Sequence, residues 1–278
     1  MHQWLKSKYD LSNPELVSVI DDLPLWSAPF GLKLLETVKL KQKINVLDIG
    51  SGTGFPIIEL SQCLGDTCKV YGIDPWTEAV DRCSKKIKNW EITNLEIIEE
   101  EAEKLSFKDN YFDLITSNNG INNVEDDKTA MKEISRVAKK GAQFVFTMNL
   151  PDTMIEFYDI LRKVLKDYNK GKEIQKLEDH VFNKRKPLKY IKDLLQKNNF
   201  KINAIHEDIF YLRYTDGSTM LNHFLIKFSF LDSWTALLQS QDINPIFALV
   251  EKKLNDLADK QGELRLSVPW ICLDCEKV

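Results

Sequence analysis

The stretch VLDIGSGTGFPIIEL, residues 46–60, decides the fold of this chain. An apolar run leads into Asp48, a glycine turn follows, and an apolar helical pattern begins directly after it. This order is typical of a strand that enters a nucleotide-type loop at the start of a helix. Glycine has no Cβ and reaches positive φ at little cost, so such a loop lets the backbone approach a ligand closely.

The spacing of the glycines narrows the choice of ligand. Gly50, Gly52 and Gly54 form the pattern G-x-G-x-G. The dinucleotide fingerprint G-x-G-x-x-G requires a glycine at the next position, which here is Phe55. Because no glycine occupies the third place in the pyrophosphate register, the loop favours a mononucleoside ligand over NAD.

Strands and helices alternate along the chain as far as Leu150. Continuous apolar strands separated by helical segments predict a parallel sheet that is covered on both faces. In such sheets ligands bind at the carboxyl ends of the strands. Asp74 ends the second predicted strand, about 20 residues beyond the glycines, where a carboxylate can bind both hydroxyls of a ribose. The alternative role for Asp74 is a helix N-cap before Pro75.

A third motif, EEAEKLSFKDNYFDLITSNNG at residues 100–120, follows the third predicted strand. Together with the glycine loop and Asp74, it resembles the class I S-adenosylmethionine-dependent methyltransferases. The resemblance implies that Glu101 accepts a hydrogen bond from the adenine amino group and that the Ala102 N–H donates to a ring nitrogen. The family more often has Asp at the first of these positions, so Glu101 departs from its pattern. A solvated acidic patch, residues 99–103, is the alternative interpretation.

The same resemblance implies the remaining cofactor contacts. Asn118 ends the fourth predicted strand, where the family contacts the methionine part of the cofactor through a main-chain carbonyl. Pro75 or Trp76 is expected to pack against the adenine face. The expected cofactor-binding residues are Asp48, Gly50, Ser51, Gly52, Gly54, Asp74, Pro75, Glu101, Ala102 and Asn118.

The resemblance also implies a fold and a domain organisation. The expected fold is a Rossmann-like, seven-stranded, mostly parallel sheet with an antiparallel last strand and helices on both faces. Residues 1–43 are expected to form an N-terminal helical cap and residues 44–215 the S-adenosylmethionine-binding core. Residues 216–262 are expected to form a helical insertion before the last strand of the core sheet, residues 263–278.

Within this family, the chain most resembles the small-molecule branch that includes the ubiquinone and menaquinone biosynthesis enzymes. The enzymes that methylate amino groups of DNA carry an (Asp/Asn/Ser)-Pro-Pro-(Tyr/Phe) run after the fourth strand, whereas this chain has Ser-Asn-Asn-Gly at residues 117–120. The cytosine-C5 enzymes need a Pro-Cys nucleophile, and no cysteine here follows a proline. The expected function is methyl transfer from S-adenosylmethionine to a small molecule by in-line displacement.

The composition is that of an ordinary globular protein. The formal net charge of −4 argues against a dedicated nucleic-acid binder. Lys184, Arg185 and Lys186 are expected to lie on a solvated helix face. The spacing of the five cysteines does not suggest a set of disulfide bonds. The sequence also shows no signal-peptide pattern and no apolar run long enough to span a membrane. These features favour a soluble cytoplasmic protein without membrane insertion.

The acceptor side of the site is less defined by the sequence. The candidate pocket residues are Trp26, Phe30, Asn119 and His223, although Trp26 and Phe30 equally fit packing on the sheet and His223 fits a packed histidine better. No catalytic residue stands out, because a general base is needed only when the acceptor must lose a proton. The pair Cys272 and Cys275 has no partner set for zinc, so no metal site is expected, and the cysteines fit ordinary small buried or edge-strand residues. The oligomeric state is not readable from the sequence.

Two other functions remain open from the sequence. An NAD-dependent oxidoreductase would use the same kind of sheet and an acidic ribose ligand, but Phe55 and the Glu101-Ala102 stretch argue against it. A non-catalytic module that binds S-adenosylmethionine would keep the glycines and Asp74 without turnover.

Overall fold

A computed structural model describes residues 9–19 and 26–278 of the chain. Seven strands form one sheet in the order β3-β2-β1-β4-β5-β7-β6. The strands are β1 (Asn45–Ile49), β2 (Lys69–Asp74), β3 (Leu95–Glu99), β4 (Phe112–Asn118), β5 (Ala138–Asn149), β6 (Phe200–Tyr214) and β7 (Leu264–Lys277). Strands β1 to β5 pair in parallel and β7 pairs antiparallel to β5, which confirms the predicted fold class.

The register of the sheet explains why the motifs come together. Asp48 in β1 lies opposite Gly72 of β2 on one side and Thr116 of β4 on the other. The strands β1, β2 and β4 therefore end at the same edge, and the residues that follow them meet there. The strands β1 and β5 are buried along most of their length, as expected for a parallel sheet with covered faces.

Helices fill the connections and cover the sheet. Up to residue 197 they are α1 (Pro14–Val19), α2 (Ala28–Thr37), α3 (Ile57–Leu64), α4 (Thr77–Asn89), α5 (Asp127–Val137), α6 (Ile155–Asp167), α7 (Gly171–Lys184) and α8 (Leu188–Lys197). Asp126 caps α5 by accepting hydrogen bonds from the backbone N–H groups of Lys128 and Thr129. Ile134 of α5 and Leu195 of α8 pack with Phe144 of β5 in one buried cluster.

The segment between β6 and β7 is helical, as predicted for residues 216–262, but it is divided. It contains α9 (Gly217–Asn222), α10 (Phe224–Ile226), a π-helical turn (Lys227–Leu231), α11 (Asp232–Thr235) and α12 (Ser240–Gln261). Asp216 caps α9 by accepting from the Thr219 N–H. The long helix α12 begins after Gln239 and ends at Gly262, which has the positive φ typical of a helix C-terminus.

Three expectations need correction. The sequence of residues 152–170 predicts one helix there and none directly after it, whereas the structure has the shorter α6 and then α7. The backbone leaves the helical region at Asn169, which has a φ of 56°. Of the three basic residues expected on a solvated face, Lys184 is exposed but Arg185 is 3% exposed and lies just beyond α7. The expectation of small buried or edge-strand cysteines is wrong for one of the five, because Cys63 is exposed on helix α3.

The chain divides into two compact units. Of the described residues, one unit contains the parallel part of the sheet and comprises residues 11–19, 26–150, 186–208 and 270–278; we call it the sheet unit. The other comprises residues 9–10, 151–185 and 209–269 and contains α6, α7 and α9 to α12; we call it the helical unit. The expected division at residues 43, 215 and 262 stays a prediction, and residues 1–8 and 20–25 of the expected N-terminal cap lie outside the described residues.

No helix in the described ranges combines the length and the apolar character needed to cross a bilayer. Within the same ranges no group of three or more His, Cys, Asp or Glu side chains is arranged to hold a metal ion.

Candidate functional site

The glycine loop follows β1 and is held against the end of β2. The backbone N–H groups of Gly50 and Ser51 both donate to the carbonyl oxygen of Ile73, at 2.9 and 3.0 Å. Gly50, Gly52 and Gly54 have φ values of 74°, 51° and 110°. Residues with a Cβ adopt such positive φ values only at a cost in conformational free energy. The three glycines are therefore required by the backbone path of the turn.

Gly50 has a second role, which involves the loop after β4. A Cβ built on Gly50 would lie 2.8 Å from the Cα of Gly120, and a Cβ on Gly120 would lie 2.5 Å from the carbonyl oxygen of Ile49. The two turns therefore touch backbone to backbone. The sequence shows both glycines but not this contact, because the residues are 70 positions apart.

The Asp74 carboxylate joins the two strand ends. Its Oδ2 accepts a hydrogen bond from the Gly52 N–H at 2.8 Å, and its Oδ1 accepts from the Trp76 N–H at 2.9 Å. Burial raises the pKa of Asp74, while these two bonds act in the opposite direction. The carboxylate thus holds the glycine loop and the start of α4 together. A carboxylate oxygen can accept more than one hydrogen bond, so both oxygens retain the capacity to accept from a ligand.

Asp48 lies beneath the loop and is fully buried. Its Oδ1 accepts from the Thr116 hydroxyl at 2.6 Å and its Oδ2 accepts from the Ser51 hydroxyl at 2.8 Å. Burial raises the pKa of Asp48 to about 7, against the opposing effect of these two hydroxyl bonds. The contacts of Asp48 and of the Ser51 side chain are with the protein, so they organise the loop from below. Sequence reasoning missed Thr116, whose only signal was a polar residue inside an apolar strand.

The acidic stretch after β3 lies beside Asp74. The backbone N–H of Glu100 donates to the carbonyl oxygen of Asp74 at 3.2 Å. Glu101 and Pro75 are exposed, whereas Ala102 is buried in the core. Glu103 does not belong to a freely solvated patch, because it accepts from the backbone N–H groups of Glu125 and Asp126, at 2.7 and 2.9 Å.

A network of asparagines occupies the carboxyl ends of β4 and β5. Thr147 donates its hydroxyl to Asn118 Oδ1 at 2.9 Å and accepts from the backbone N–H of Asn119 at 3.0 Å. Asn119 has a φ of 59°, and its Oδ1 accepts from the Asn149 N–H at 3.2 Å. The Asn122 amide donates to Asn119 Oδ1 and to Asn149 Oδ1, both at 2.6 Å. Sequence reasoning named Asn118 and Asn119 but missed the other three residues, although the polar end of β5 was a usable signal.

The N-terminal helix α2 contacts this edge of the sheet. The Asn118 side-chain N–H donates to the carbonyl oxygen of Ser27 at 3.2 Å. A Cβ on Gly31 would lie 2.3 Å from the Phe55 ring, so only glycine permits this approach. Phe30 is fully buried and packs edge-on against Trp270 with ring centroids 5.6 Å apart, and Trp26 packs edge-on against Phe30 at the same separation.

The last pocket candidate, His223, belongs to the helical unit. Its Nδ1 accepts from the Leu225 N–H at 3.2 Å, and its ring packs edge-on against Tyr214. Burial lowers the pKa of His223, and Lys227 adds to the effect. These contacts account for the side chain as a packed histidine, and its assignment to a substrate pocket stays a prediction.

An open groove of about 590 Å³ lies on the sheet unit. It runs between the exposed side of α2 and β6, and Trp270 forms part of its wall. Trp270 stands opposite Asn149 in the pairing of β7 with β5. The groove is therefore lined by the strand that adjoins the asparagine network.

The family of the chain follows from comparison with known proteins. A family model described as a methyltransferase domain matches residues 40–202, more than half of the 278 residues. The chain belongs to this methyltransferase family. The resemblance seen in residues 46–120 is thereby confirmed.

The relatives of this methyltransferase are consistent with the small-molecule branch. A demethylmenaquinone methyltransferase of Geobacillus sp. is 30% identical over 123 residues, which are 44% of this chain and 53% of the relative. A demethylmenaquinone methyltransferase of Staphylococcus aureus is 32% identical over 143 residues, 51% of this chain and 56% of the relative. The chain thus spans about half the length of the curated relatives that it matches.

Solved structures share the fold of this methyltransferase. The YcgJ protein from Bacillus subtilis has a TM-score of 0.61 at 18% identity, with 90% of this chain and 98% of that chain covered.

Proposed function

We propose that this methyltransferase transfers a methyl group from S-adenosylmethionine to a small-molecule acceptor. The observation that carries the proposal is the hydrogen bond from the Gly52 N–H to the Asp74 carboxylate, where β1 and β2 end. The carboxylate and the open glycine turn lie at the same edge of the sheet. A Cβ on Gly52 would meet no heavy atom of the described residues within 4 Å. The turn can therefore receive a ligand without displacing protein atoms.

The ribose of the cofactor fits the Asp74 carboxylate. Each oxygen already accepts one backbone N–H and can accept one further hydrogen bond. Two adjacent hydroxyls match two adjacent acceptors, and a 2′-phosphate would be repelled. We assign the adenine to the stretch around Glu101 and Ala102, which is joined to Asp74 through the Glu100 N–H. The methionine part is assigned to Asn118, at the end of β4.

The chemistry asks little of the protein beyond alignment. When bound, S-adenosylmethionine supplies a methyl group that the positive sulfonium already activates for in-line displacement. The chain has to hold donor and acceptor in line and keep water away. The rigid contacts between the turns at Gly50 and Gly120, and the packing of α2 on Phe55, serve that purpose.

We infer that the acceptor binds beside the carboxyl ends of β4 and β5. The asparagine network there offers neutral amide groups, which suit an acceptor with hydroxyl or carbonyl oxygens. The adjoining groove has an apolar part, formed by Trp270, Pro29 and Leu32, which suits an apolar or aromatic body. The rest of its lining is mostly charged and includes Lys33 and Glu36 of α2. The relatives named for demethylmenaquinone support a quinol-like acceptor, since such a molecule combines an aromatic body with hydroxyl groups.

Titration calorimetry with S-adenosylmethionine and with its demethylated product tests the cofactor assignment. We expect saturable binding by the wild type and weaker binding by Asp74→Ala, with unchanged binding by Glu96→Ala, which removes an exposed carboxylate on β3. Absence of binding at millimolar ligand would overturn the proposed function. Wild-type affinity in Asp74→Ala would overturn the ribose assignment alone.

Two further measurements separate the proposal from its rivals. Fluorescence titration with NADH should show no saturable binding; tight binding would favour an oxidoreductase. A methyl-transfer assay over hydroquinones and other small acceptors should show turnover. Cofactor binding without turnover across that panel would favour a non-catalytic binding module.

A further inference from the structure

Arg185 in the helical unit is a buried cation without a counter-charge. Its side chain is 3% exposed, and its Nη1 is buried without any hydrogen-bond partner. Within residues 9–19 and 26–278 it forms no ion pair. Its guanidinium carbon lies 4.9 Å from the centroid of the Tyr158 ring. A buried charge is costly unless it is paired, and a guanidinium keeps its charge in proteins.

Two carboxylates of the same helices are paired with another arginine. Arg162 on α6 donates from Nε to Glu178 on α7 at 2.6 Å and from Nη1 to Asp159 at 2.6 Å. Arg162 is partly exposed and fully paired, whereas Arg185 is buried and unpaired. Among the described residues of the helical unit, the least solvated arginine is therefore left without an acceptor.

Tyr158 adds a second donor of the same kind. It is 1% exposed, and its hydroxyl oxygen lies 2.9 Å from Nε1 of the fully buried Trp234. An indole nitrogen only donates, so the Tyr158 oxygen is the acceptor of this bond. Its own O–H hydrogen is then left as a donor, and no described residue accepts it. Arg185 and Tyr158, which are in contact, thus both present buried donors.

Lys184 places a second positive charge next to Arg185 in the chain. Burial, together with the nearby charges of Arg185 and Lys184, lowers the pKa of His180 to about 4. Donors in excess and a positive field are the features that recognise an oxyanion.

We propose that Arg185 and Tyr158 form a binding site for the carboxylate or phosphate group of a small molecule. A planar guanidinium offers two parallel N–H groups to two oxygens of such a group, and the tyrosine hydroxyl offers a third donor. The site lies in the helical unit and is independent of the proposed methyl transfer, since it requires neither the glycine loop nor Asp74.

Thermal denaturation of the full chain tests this site, with sodium phosphate and sodium acetate as probes and sodium chloride at matched ionic strength as reference. We expect a saturable rise in the Tm of the wild type with phosphate, acetate or both, beyond the effect of chloride. A response to phosphate alone identifies a phosphate site, and a response to acetate alone identifies a carboxylate site.

Four variants connect the response to these side chains. Arg185→Met should abolish the anion-dependent rise. Arg185→Lys should raise the half-saturating concentration about tenfold and Tyr158→Phe about fivefold, as expected for the loss of bidentate geometry and of one neutral hydrogen bond. Arg162→Met is the matched control and should respond like the wild type.

The baseline stability separates binding from structure. Without added anion, Arg185→Met should denature at the same Tm as the wild type or higher, because it removes an unpaired buried charge. An equal anion response in Arg185→Met, or no response of the wild type to either anion, would overturn the proposal. If Arg185→Met does not fold, the other two variants decide: a half-saturating anion concentration equal to that of the wild type in both Arg185→Lys and Tyr158→Phe would also overturn the proposal.

Discussion

Two glycines of the sheet unit separate backbone strain from ligand contact. Gly52 in the loop and Gly65 at the end of α3 have φ values of 51° and 70°. A Cβ on either residue would meet no heavy atom of the described protein within 4 Å. Replacement of each by alanine therefore strains the backbone without an internal clash, and Gly65, with a ψ of 178°, lies in a region that essentially only glycine adopts. Only Gly52 lies where we place the cofactor.

The expected sizes of the two effects follow from this difference. An L-residue in the left-handed region costs about 1–2 kcal/mol. For a protein of this size, each kcal/mol lowers the Tm by about 2–4 °C, so Gly52→Ala should lose about 2–8 °C. The backbone region of Gly65 costs other residues about 1–3 kcal/mol, so Gly65→Ala should lose about 2–12 °C. An extra methyl group in a close-packed contact costs about 1–3 kcal/mol. Gly52→Ala should therefore bind S-adenosylmethionine about 5- to 150-fold more weakly, whereas Gly65→Ala should keep the wild-type affinity.

Scanning calorimetry gives the stability of each variant, and titration calorimetry at a temperature well below both transitions gives the affinity. The comparison is valid only if both variants are folded at that temperature. The reasoning is refuted if Gly52→Ala binds the cofactor like the wild type, because the turn would then not contact it. Equal weakening in Gly65→Ala would attribute the loss to general destabilisation instead.

Three other predictions follow from the site and the core. Asp74→Asn should bind S-adenosylmethionine more weakly than the wild type, because one acceptor oxygen becomes an amide donor. Titration calorimetry measures the affinity, and an affinity equal to that of the wild type would contradict the ribose role. The pKa of Asp48 is raised from its ordinary value of 3.8 to about 7 in the folded protein. Between pH 3.8 and about pH 7, the folded state therefore keeps a proton on Asp48 that the unfolded state releases. Stability should therefore fall as the pH rises from about 4 to about 7, and Asp48→Asn should reduce that slope in denaturant titrations at several pH values; an unchanged slope would exclude Asp48 as its source. All five cysteines are free and lie within the described residues, and only Cys63 among them is exposed. An aromatic disulfide reagent should therefore modify one thiol quickly in the native protein and all five in guanidinium chloride. Rapid modification of two or more thiols in the native protein would contradict the buried positions of the others.

Local patterns in the sequence predict most of the sheet unit because each pattern acts over a few residues. The run from Val46 to Leu60 predicts a strand, a glycine turn and a helix, and the structure has β1, the turn and α3 in that order. Helix α7 was not predicted, and α6 is shorter than predicted because the backbone leaves the helical region at Asn169, which has a φ of 56°. A pattern of side chains does not report such a change in the backbone.

Asp74 illustrates how a local signal acquires its meaning. The sequence places it at the end of a strand, about 20 residues after the glycines. The structure adds that its two oxygens already hold the Gly52 and Trp76 N–H groups. Both roles considered from the sequence, ligand binding and support of the helix start, involve the same carboxylate. On the helix side, the Asp74 side chain accepts from the N–H of Trp76, and Trp76 rather than Asp74 is the N-cap residue of α4.

By itself, the sequence determined the alternation of strands and helices from β1 to β5, the need for glycine after β1 and the acidic residue that ends β2. These features depend on backbone conformation and on neighbours in the chain. Only the tertiary structure decided that Gly50 touches Gly120, that the asparagines of β4 and β5 form one network, and that Arg185 is buried beside Tyr158. Each of these joins residues 27 to 70 positions apart, and such contacts depend on how the elements pack, which no local pattern records.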